Sequence, residues 1–207
     1  MSTVTVIGAG NLGSVVAGIA AKGGTGVQVL ARDVEKAQAV AGPLGGTSGA
    51  VGDAITGEIV VLAVPHPAVA DVLATYPGAL DGKVLVDVSN PVDFSTFDNL
   101  TVPADSSAAK LLQDAVPGAN VLKAFNANFG ATLGTGTAGP VQTAVLVAGD
   151  DAAAKQTLVD LVTAAGLRAV DAGSLKRARE LEAIGFLQIT LAGAEKISWA
   201  GGFALVD

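Results

Sequence analysis

The feature that most constrains the fold is a glycine motif near the start of the chain. Residues 4–13 read VTVIGAGNLG, in which Gly8, Gly10 and Gly13 follow the pattern G-x-G-x-x-G. An apolar run precedes the motif, and apolar residues recur at helical spacing after it. A second apolar run, VQVLA, follows that helical pattern. This order of strand, glycine turn, helix and strand is the context in which the motif binds a dinucleotide.

Each glycine has its own physical role in such a motif. Gly8 permits a tight turn, Gly10 lets the backbone approach a pyrophosphate, and Gly13 lets the helix pack closely on the strand. The N–H groups around Asn11 and Leu12 open the helix, where the helix dipole favours an anion. A secretion signal is not expected, because no lysine or arginine precedes residue 22 and glycines interrupt the apolar run.

The alternation of apolar runs and helical patterns continues along the chain and predicts an α/β fold, a doubly wound and mostly parallel Rossmann sheet with a small helical C-terminal part. Further strands are predicted over 58–65, 83–91, 120–126, 143–150 and 167–173, and further helices over 67–76, 106–116 and 151–166. The glycine-rich residues 42–57 are expected to hold a short strand and a loose connection. We therefore expect a Rossmann domain over 1–173 and a helical segment over 174–207.

Composition argues against several classes of partner and site. The net charge of −7 argues against binding to nucleic acid. No apolar run approaches the ~20 residues of a membrane helix, so no membrane partner is expected. The absence of cysteine excludes disulfides and thiolate metal sites and fits a cytoplasmic location. A single histidine and scattered carboxylates have no metal-ligand spacing, so no metal site is predicted.

The residues after the second strand bear on which dinucleotide is bound. An NAD-selective site usually has Asp or Glu at the end of this strand, where this chain has Ala31 followed by Arg32. Alanine removes the carboxylate that would repel a 2′-phosphate, and Arg32 and Lys36 offer cations for it. These residues favour NADP. Asp33 leaves open an NAD site if the strand runs longer, and a solvated helix start would explain the same charges.

Three turn segments follow consecutive predicted strands: AVPHP at 63–67, VSNP at 88–91 and AFNANF at 124–129. Ligands bind beyond the carboxyl ends of strands in an open parallel sheet, so these segments are candidates for the walls of the site. Ordinary turn chemistry would explain each one alone. His66, the only histidine, lies between two prolines, and we expect a surface or ribose contact rather than a proton donor. No catalytic residue is assigned.

The segment DAGSLKRARELE, residues 171–182, concentrates Lys176, Arg177 and Arg179 in an otherwise acidic chain. It is either a basic rim for a second anionic cofactor or a helix face with Lys/Arg–Glu pairs. An apolar stripe of helical period follows: Leu181, Ile184, Leu187, Leu191, Ala194 and Ile197. Gly185 and Gly193 interrupt it, and close packing of this helix on the parent sheet or on another subunit would explain them.

The motifs VTVIGAGNLG, LARDVEK, VVLAVP, VDVSNP, LKAFNANF and DAGSLKRARELE together resemble the coenzyme F420-dependent NADP oxidoreductase family. The cytosolic domains of the STEAP metalloreductases, which pair NADPH with a flavin, are similar. The resemblance implies a homodimer that transfers a hydride between NADP(H) and a deazaflavin. It also allows a flavin as the second cofactor.

The resemblance implies a role for each matched position. The pyrophosphate would lie on Gly8, Ala9, Gly10, Asn11 and Leu12. The 2′-phosphate would be held by Ala31, Arg32 and Lys36, and the ribose and nicotinamide would lie along Val64, Pro65 and His66. The floor beneath the nicotinamide and the second ring system would be formed by Asn90, Pro91, Ala124 and Phe125. Alternative interpretations are a non-catalytic NADP(H)-binding module that senses redox state, and a reductase of a small carbonyl or imine.

Overall fold

The computed structural model describes residues 2–206, and eight strands of this part of the chain form one sheet. In chain order these strands are β1 Thr3–Ile7, β2 Gly26–Ala31, β3 Thr47–Ala50, β4 Ile59–Leu62, β5 Val84–Asp87, β6 Asn120–Lys123, β9 Ala144–Gly149 and β10 Arg168–Gly173. A short hairpin joins β7 Thr137–Ala138 to β8 Val141–Gln142. The helices are α1 Asn11–Lys22, α2 Val34–Ala41, α3 Val69–Thr75, α4 Ala108–Ala115, α5 Gly130–Thr135, α6 Ala152–Ala164 and α7 Ala178–Gly193.

The strand order is β10-β9-β6-β5-β4-β1-β2-β3. All neighbours pair in parallel except β6 and β9, which are antiparallel. The chain leaves β1 toward β2 and β3 and returns on the other side of β1 with β4. Such a switch point opens a crevice at the carboxyl ends of the two central strands. The predicted fold class, a doubly wound and mostly parallel Rossmann sheet, is confirmed.

Helices cover both faces of the sheet because the buried strands are apolar on both sides. In β1, Val4 and Val6 belong to a core shared with α1, α2 and α6, whereas Ile7 belongs to a second core shared with α3 and α4. β4 divides in the same way between the two cores, since successive side chains of a strand point to opposite faces. No helix within residues 2–206 is both long and apolar enough to cross a bilayer.

Three central strands end earlier than predicted. β4 ends at Leu62, β5 at Asp87 and β6 at Lys123, each three or four residues before the end of the predicted strand. Beyond these points the chain turns away from the ladder, and the freed residues form the edge on which the clefts described below open. The short strand expected within 42–57 is β3.

The apolar stripe of the C-terminal helix does not pack on the sheet. Ile184 and Leu187 are exposed, although Leu181 is buried. The buried face of α7 instead consists of Ala178, Leu181, Glu182, Gly185, Gln188 and Ala192. Close packing explains Gly185, where an added Cβ would overlap Asn90, but it does not explain Gly193, which has open space. The division of the chain into two units at residue 173 stays a prediction.

The glycines of α1 allow a matched test of close packing. A Cβ at Gly13 would overlap the carbonyl oxygen of Gly8, whereas a Cβ at Gly18 has nothing within 4 Å. Gly13→Ala is expected to lower the free energy of unfolding by ~1–3 kcal/mol, as overpacking does. Gly18→Ala in the same helix should raise it by about 0.5–1 kcal/mol. Urea denaturation measures both, and equal effects of the two substitutions would contradict this packing.

Candidate functional site

The turn after β1 brings backbone groups together at the switch point. Gly8 has a φ of 120°, which favours glycine, and its N–H donates to the carbonyl oxygen of Leu30 at 2.8 Å. An added Cβ would overlap the carbonyl oxygen of Ala63, at the end of β4. Gly8 and Gly13 therefore let β1, α1 and β4 approach more closely than side chains would allow.

The amino end of α1 is open. Gly10 precedes the helix and gives it no side-chain cap, and a Cβ added to Gly10 would meet nothing within 4 Å. The first N–H groups of a helix have no partner within the helix, so the groups at Asn11 and Leu12 are free to bind an anion. This is the arrangement that a pyrophosphate requires.

A smaller cleft of ≈ 560 Å³ lies on one side of the glycine turn. Eight of the predicted site residues line it: Gly8, Ala9, Gly10, Ala31, Arg32, Lys36, Val64 and Pro65. Asp33, the predicted alternative ribose ligand, and Ala63 of the AVPHP segment also line it, and the structure adds residues that the motifs did not indicate: Val51, Ala68, Asp71, Val72 and Thr75. The cleft thus joins the glycine turn to the end of β2 and to the start of α3.

The end of β2 presents cations to this cleft. β2 ends at Ala31, which is buried, so the position that often carries an acidic residue has no carboxylate. Arg32 is exposed and lines the cleft. No hydrogen bond or ion pair engages its guanidinium within residues 2–206, so it is available to an anionic ligand.

Asp33 is engaged locally. Its carboxylate caps α2 by accepting a hydrogen bond from the Lys36 N–H at 3.2 Å, and it pairs with the Lys36 ammonium at 3.5 Å. The backbone hydrogen bond from Lys36, assisted by the charge of Lys36, lowers the pKa of Asp33 below its ordinary value. Asp33 therefore serves as a helix cap, a role that competes with the predicted alternative of binding a ribose hydroxyl.

A larger cleft of ≈ 1030 Å³ lies on the other side of the turn. Three predicted site residues line it, namely Asn11, Leu12 and Asn90. Sequence reasoning missed the rest of its wall: Phe94, Asn126, Asn128, Phe129, Gly130, Ala131, Ile189, Ala192 and residues 195–200. The segment AFNANF did indicate the region, but its asparagines were not selected. Nothing in the sequence indicated Trp199, whose ring packs on Phe129 with the ring centroids 5.0 Å apart.

Four predicted site residues line neither cleft. Pro91, Ala124 and Phe125 are buried beneath the edge of the sheet. His66 is half-buried and begins a short 3-10 turn before α3. Phe125 has a φ of 64°, a strained left-handed conformation for a bulky residue, and this turn sends the chain from β6 toward Asn126.

The basic segment after β10 is a paired helix face. Arg177 and Arg179 both approach the carboxylate of Glu180, at 3.4 Å and 3.5 Å. Lys176, Arg177 and Arg179 line neither cleft. The contacts of Arg177 and Arg179 fit the predicted Lys/Arg–Glu pairs. Lys176 and Arg179 also line a separate pocket with Lys110, so a basic rim for a second cofactor stays a prediction.

Comparison with known proteins identifies relatives. Residues 3–91 match the family described as NADP oxidoreductase, coenzyme F420-dependent. The chain is 32% identical over 139 residues to the F420-dependent NADP reductase of Methanocaldococcus jannaschii, covering 65% of this chain and 62% of that protein. It is 38% identical over 114 residues to the metalloreductase STEAP3 of Rattus norvegicus, covering 54% and 22%. The chain therefore spans about three fifths of the first relative's length.

A solved structure is similar over nearly the whole chain. It is that of a candidate F420-dependent NADP-reductase from Arthrobacter sp. FB24, with a TM-score of 0.84 and 28% sequence identity, and it covers 99% of each chain. A reductive aminase from Aspergillus terreus matches with a TM-score of 0.66 at 18% identity, which shows a shared fold alone.

Proposed function

We propose that this chain, which belongs to the coenzyme F420-dependent NADP oxidoreductase family, transfers a hydride between NADP(H) and a deazaflavin such as F420, or a flavin. Two of its relatives are named F420-dependent NADP reductase. The observation that carries the proposal is the uncapped amino end of α1, at the switch point and beside the free guanidinium of Arg32.

The residues of the smaller cleft fit the anionic half of NADP. The open space at Gly10 and the uncapped N–H groups of α1 suit a pyrophosphate. Arg32 and Lys36 suit a 2′-phosphate, and Arg32 can meet it with two parallel hydrogen bonds. Val64 and Pro65 would lie along the ribose. Asp33 already accepts the Lys36 N–H, so we assign it no ribose contact.

The larger cleft is where we place the reaction. Its position beyond Asn11 and Leu12 continues the path from the pyrophosphate subsite, and Asn90 lies in its wall. When bound, NADPH would supply the hydride, and NADP+ would accept one in the reverse direction. The chain then has to hold two planar rings in contact and exclude water, which demands orientation more than acid–base groups. This agrees with a cleft lined by amides and apolar rings.

Hydride transfer can be measured directly. The purified chain is mixed with NADPH and, in separate reactions, F420, FMN, FAD, and small carbonyl or imine acceptors, and the loss of NADPH absorbance is followed. We expect turnover with F420 or a flavin. Tight NADPH binding with no acceptor reduced would favour the redox-sensing alternative, and turnover with carbonyl or imine acceptors alone would favour a reductase of small molecules.

The preference for NADP depends on Arg32. Arg32→Ala should weaken NADP binding ~10–100-fold, since a hydrogen bond to a charged group contributes about 1.5–3 kcal/mol, and should leave NAD binding nearly unchanged. Isothermal titration calorimetry with both nucleotides measures this. Arg177→Ala, which removes the same side chain outside both clefts, is the control. An unchanged NADP affinity in Arg32→Ala would overturn the assignment.

We also propose a homodimer whose contact includes the exposed outer face of α7. Leu187 is 51% exposed there, beside Ile184. Leu187→Glu should raise the dissociation constant of the dimer ~10-fold or more, because the contact would bury an unpaired charge. Sedimentation equilibrium measures it. Leu111→Glu, at a 42% exposed position on α4, is the control and should leave the dimer unchanged.

A further inference from the structure

Three charged side chains are buried together at the carboxyl edge of the sheet. Lys123 ends β6, Asp87 ends β5 in direct register with it, and Glu182 reaches them from α7. Their side chains are exposed by 0%, 3% and 1%. None of them lines either cleft, and the proposed hydride transfer does not use them.

This buried network engages the ammonium of its lysine through two hydrogen bonds and a second ion pair. The Lys123 ammonium donates to Asp87 Oδ2 at 2.7 Å and to the carbonyl oxygen of Ser89 at 2.6 Å, and it pairs with Glu182 Oε1 at 2.9 Å. Glu182 also accepts the N–H groups of Ala108 and Ala109, at 2.9 Å and 3.3 Å. The amino end of α4 thus offsets the second carboxylate.

Stability alone is a weak reason for such a network. Well-packed apolar residues in place of buried ion pairs are often as stable or more stable. A network with directional contacts does something that apolar packing cannot, which is to hold specific backbone atoms in place. The contacts of Lys123 and Glu182 identify the backbone atoms concerned.

The contacts lead from the network to the larger cleft. Lys123 holds the carbonyl oxygen of Ser89, the residue before Asn90, and Glu182 follows Leu181 on α7. The Asn126 amide donates to Leu181 O at 2.9 Å and to Asn90 Oδ1 at 3.0 Å.

The Asn90 amide in turn donates to the carbonyl oxygen of Asn126 at 2.8 Å. Asn90 and Asn126 thus form a pair in the wall of the larger cleft.

The asparagine pair is held in one orientation. Both N–H groups of Asn126 are committed, so its amide cannot flip without placing an oxygen against Leu181 O. Its Oδ1 is left buried without a hydrogen-bond partner among the described residues. Because an unsatisfied buried oxygen costs free energy, contacts from outside the pair must hold the amide in this orientation. Gly185 allows this packing, because an added Cβ would overlap Asn90 Oδ1 and lie 2.9 Å from Asn126 O.

We infer that Lys123 and Glu182 are positioning residues, which hold the Asn90–Asn126 pair in the wall of the larger cleft without touching either cofactor. The inference rests on the proposed function, because the larger cleft is where that function places hydride transfer. It distinguishes the two clefts, since the network connects to the wall of the larger one through Ser89 and Leu181 and contacts neither the glycine turn nor Arg32.

The first test compares two glutamates of α7. Glu182→Gln should lower kcat ~10–100-fold in folded enzyme, because a small displacement of the residues that orient the reacting rings slows the reaction. The Kd for NADPH should stay within about threefold. Glu180→Gln, two residues away and paired among residues 2–206 with Arg177 and Arg179 alone, should change neither. A merely structural role would lower the melting temperature without this split. An unchanged kcat, or an equal loss in both quantities, overturns the inference.

A second pair of variants leaves the buried charges intact, in case Glu182→Gln does not fold. Gly185→Ala pushes on Asn90 and Asn126 directly and should give the same loss of kcat with NADPH affinity retained. Gly193→Ala, in the same helix but with open space around it, should leave kcat unchanged. Equal kcat values for the two variants would contradict the inference.

A spectroscopic readout separates this inference from the proposed function. In ¹⁵N NMR spectra, the side-chain amide signals of Asn90 and Asn126 should shift in Glu182→Gln and not in Glu180→Gln, while the backbone signals of Gly8 and Gly10 stay in place. Unmoved asparagine signals overturn the inference whatever the enzyme reduces. Shifted signals in a chain that reduces no acceptor would support the positioning contacts and reject the proposed function.

Discussion

The structure depends on a close approach of three backbone segments, at the ends of β1 and β4 and at the start of α1. A Cβ at Gly8 would overlap Ala63 O, and one at Gly13 would overlap Gly8 O. Because no side chain intervenes, the helix begins directly at the switch point with its first N–H groups uncapped. Both clefts lie beside this junction, and Arg32 lines the smaller of the two.

The central features of the fold and the smaller cleft could be predicted from the sequence, because they depend on local patterns. Strand β1, the glycine turn and α1 are consecutive, and Ala31 and Arg32 follow β2 directly. The carboxyl ends of the strands were harder to predict from the sequence. Apolar residues continue past Leu62 into a half-buried turn and past Asp87 into a buried one, so composition alone does not reveal where the hydrogen-bonded ladder stops.

The larger cleft and its supports escaped prediction because they depend on contacts distant in the chain. A lysine at the end of an apolar strand gives no sign that its partner is Glu182 of α7. The same partners explain why polar side chains share the buried face of that helix. Glu182 and Gln188 are buried because Lys123 and the Phe203 N–H engage them, while Ile184 and Leu187 remain outside.

The antiparallel pairing of β6 and β9 has a consequence for where the reaction site could form. If the strand after β6 were parallel to it, the chain would have to cross back to the amino ends of the strands before that strand began. With its direction reversed, β9 starts at the edge where β6 ends, so the connection over residues 124–143 begins and ends at that edge. Asn126, Asn128 and Phe129 belong to this stretch. One wall of the larger cleft thus follows from the sheet topology. It is formed by a connection that, in an all-parallel sheet, would have had to cross back to the opposite end of the strands.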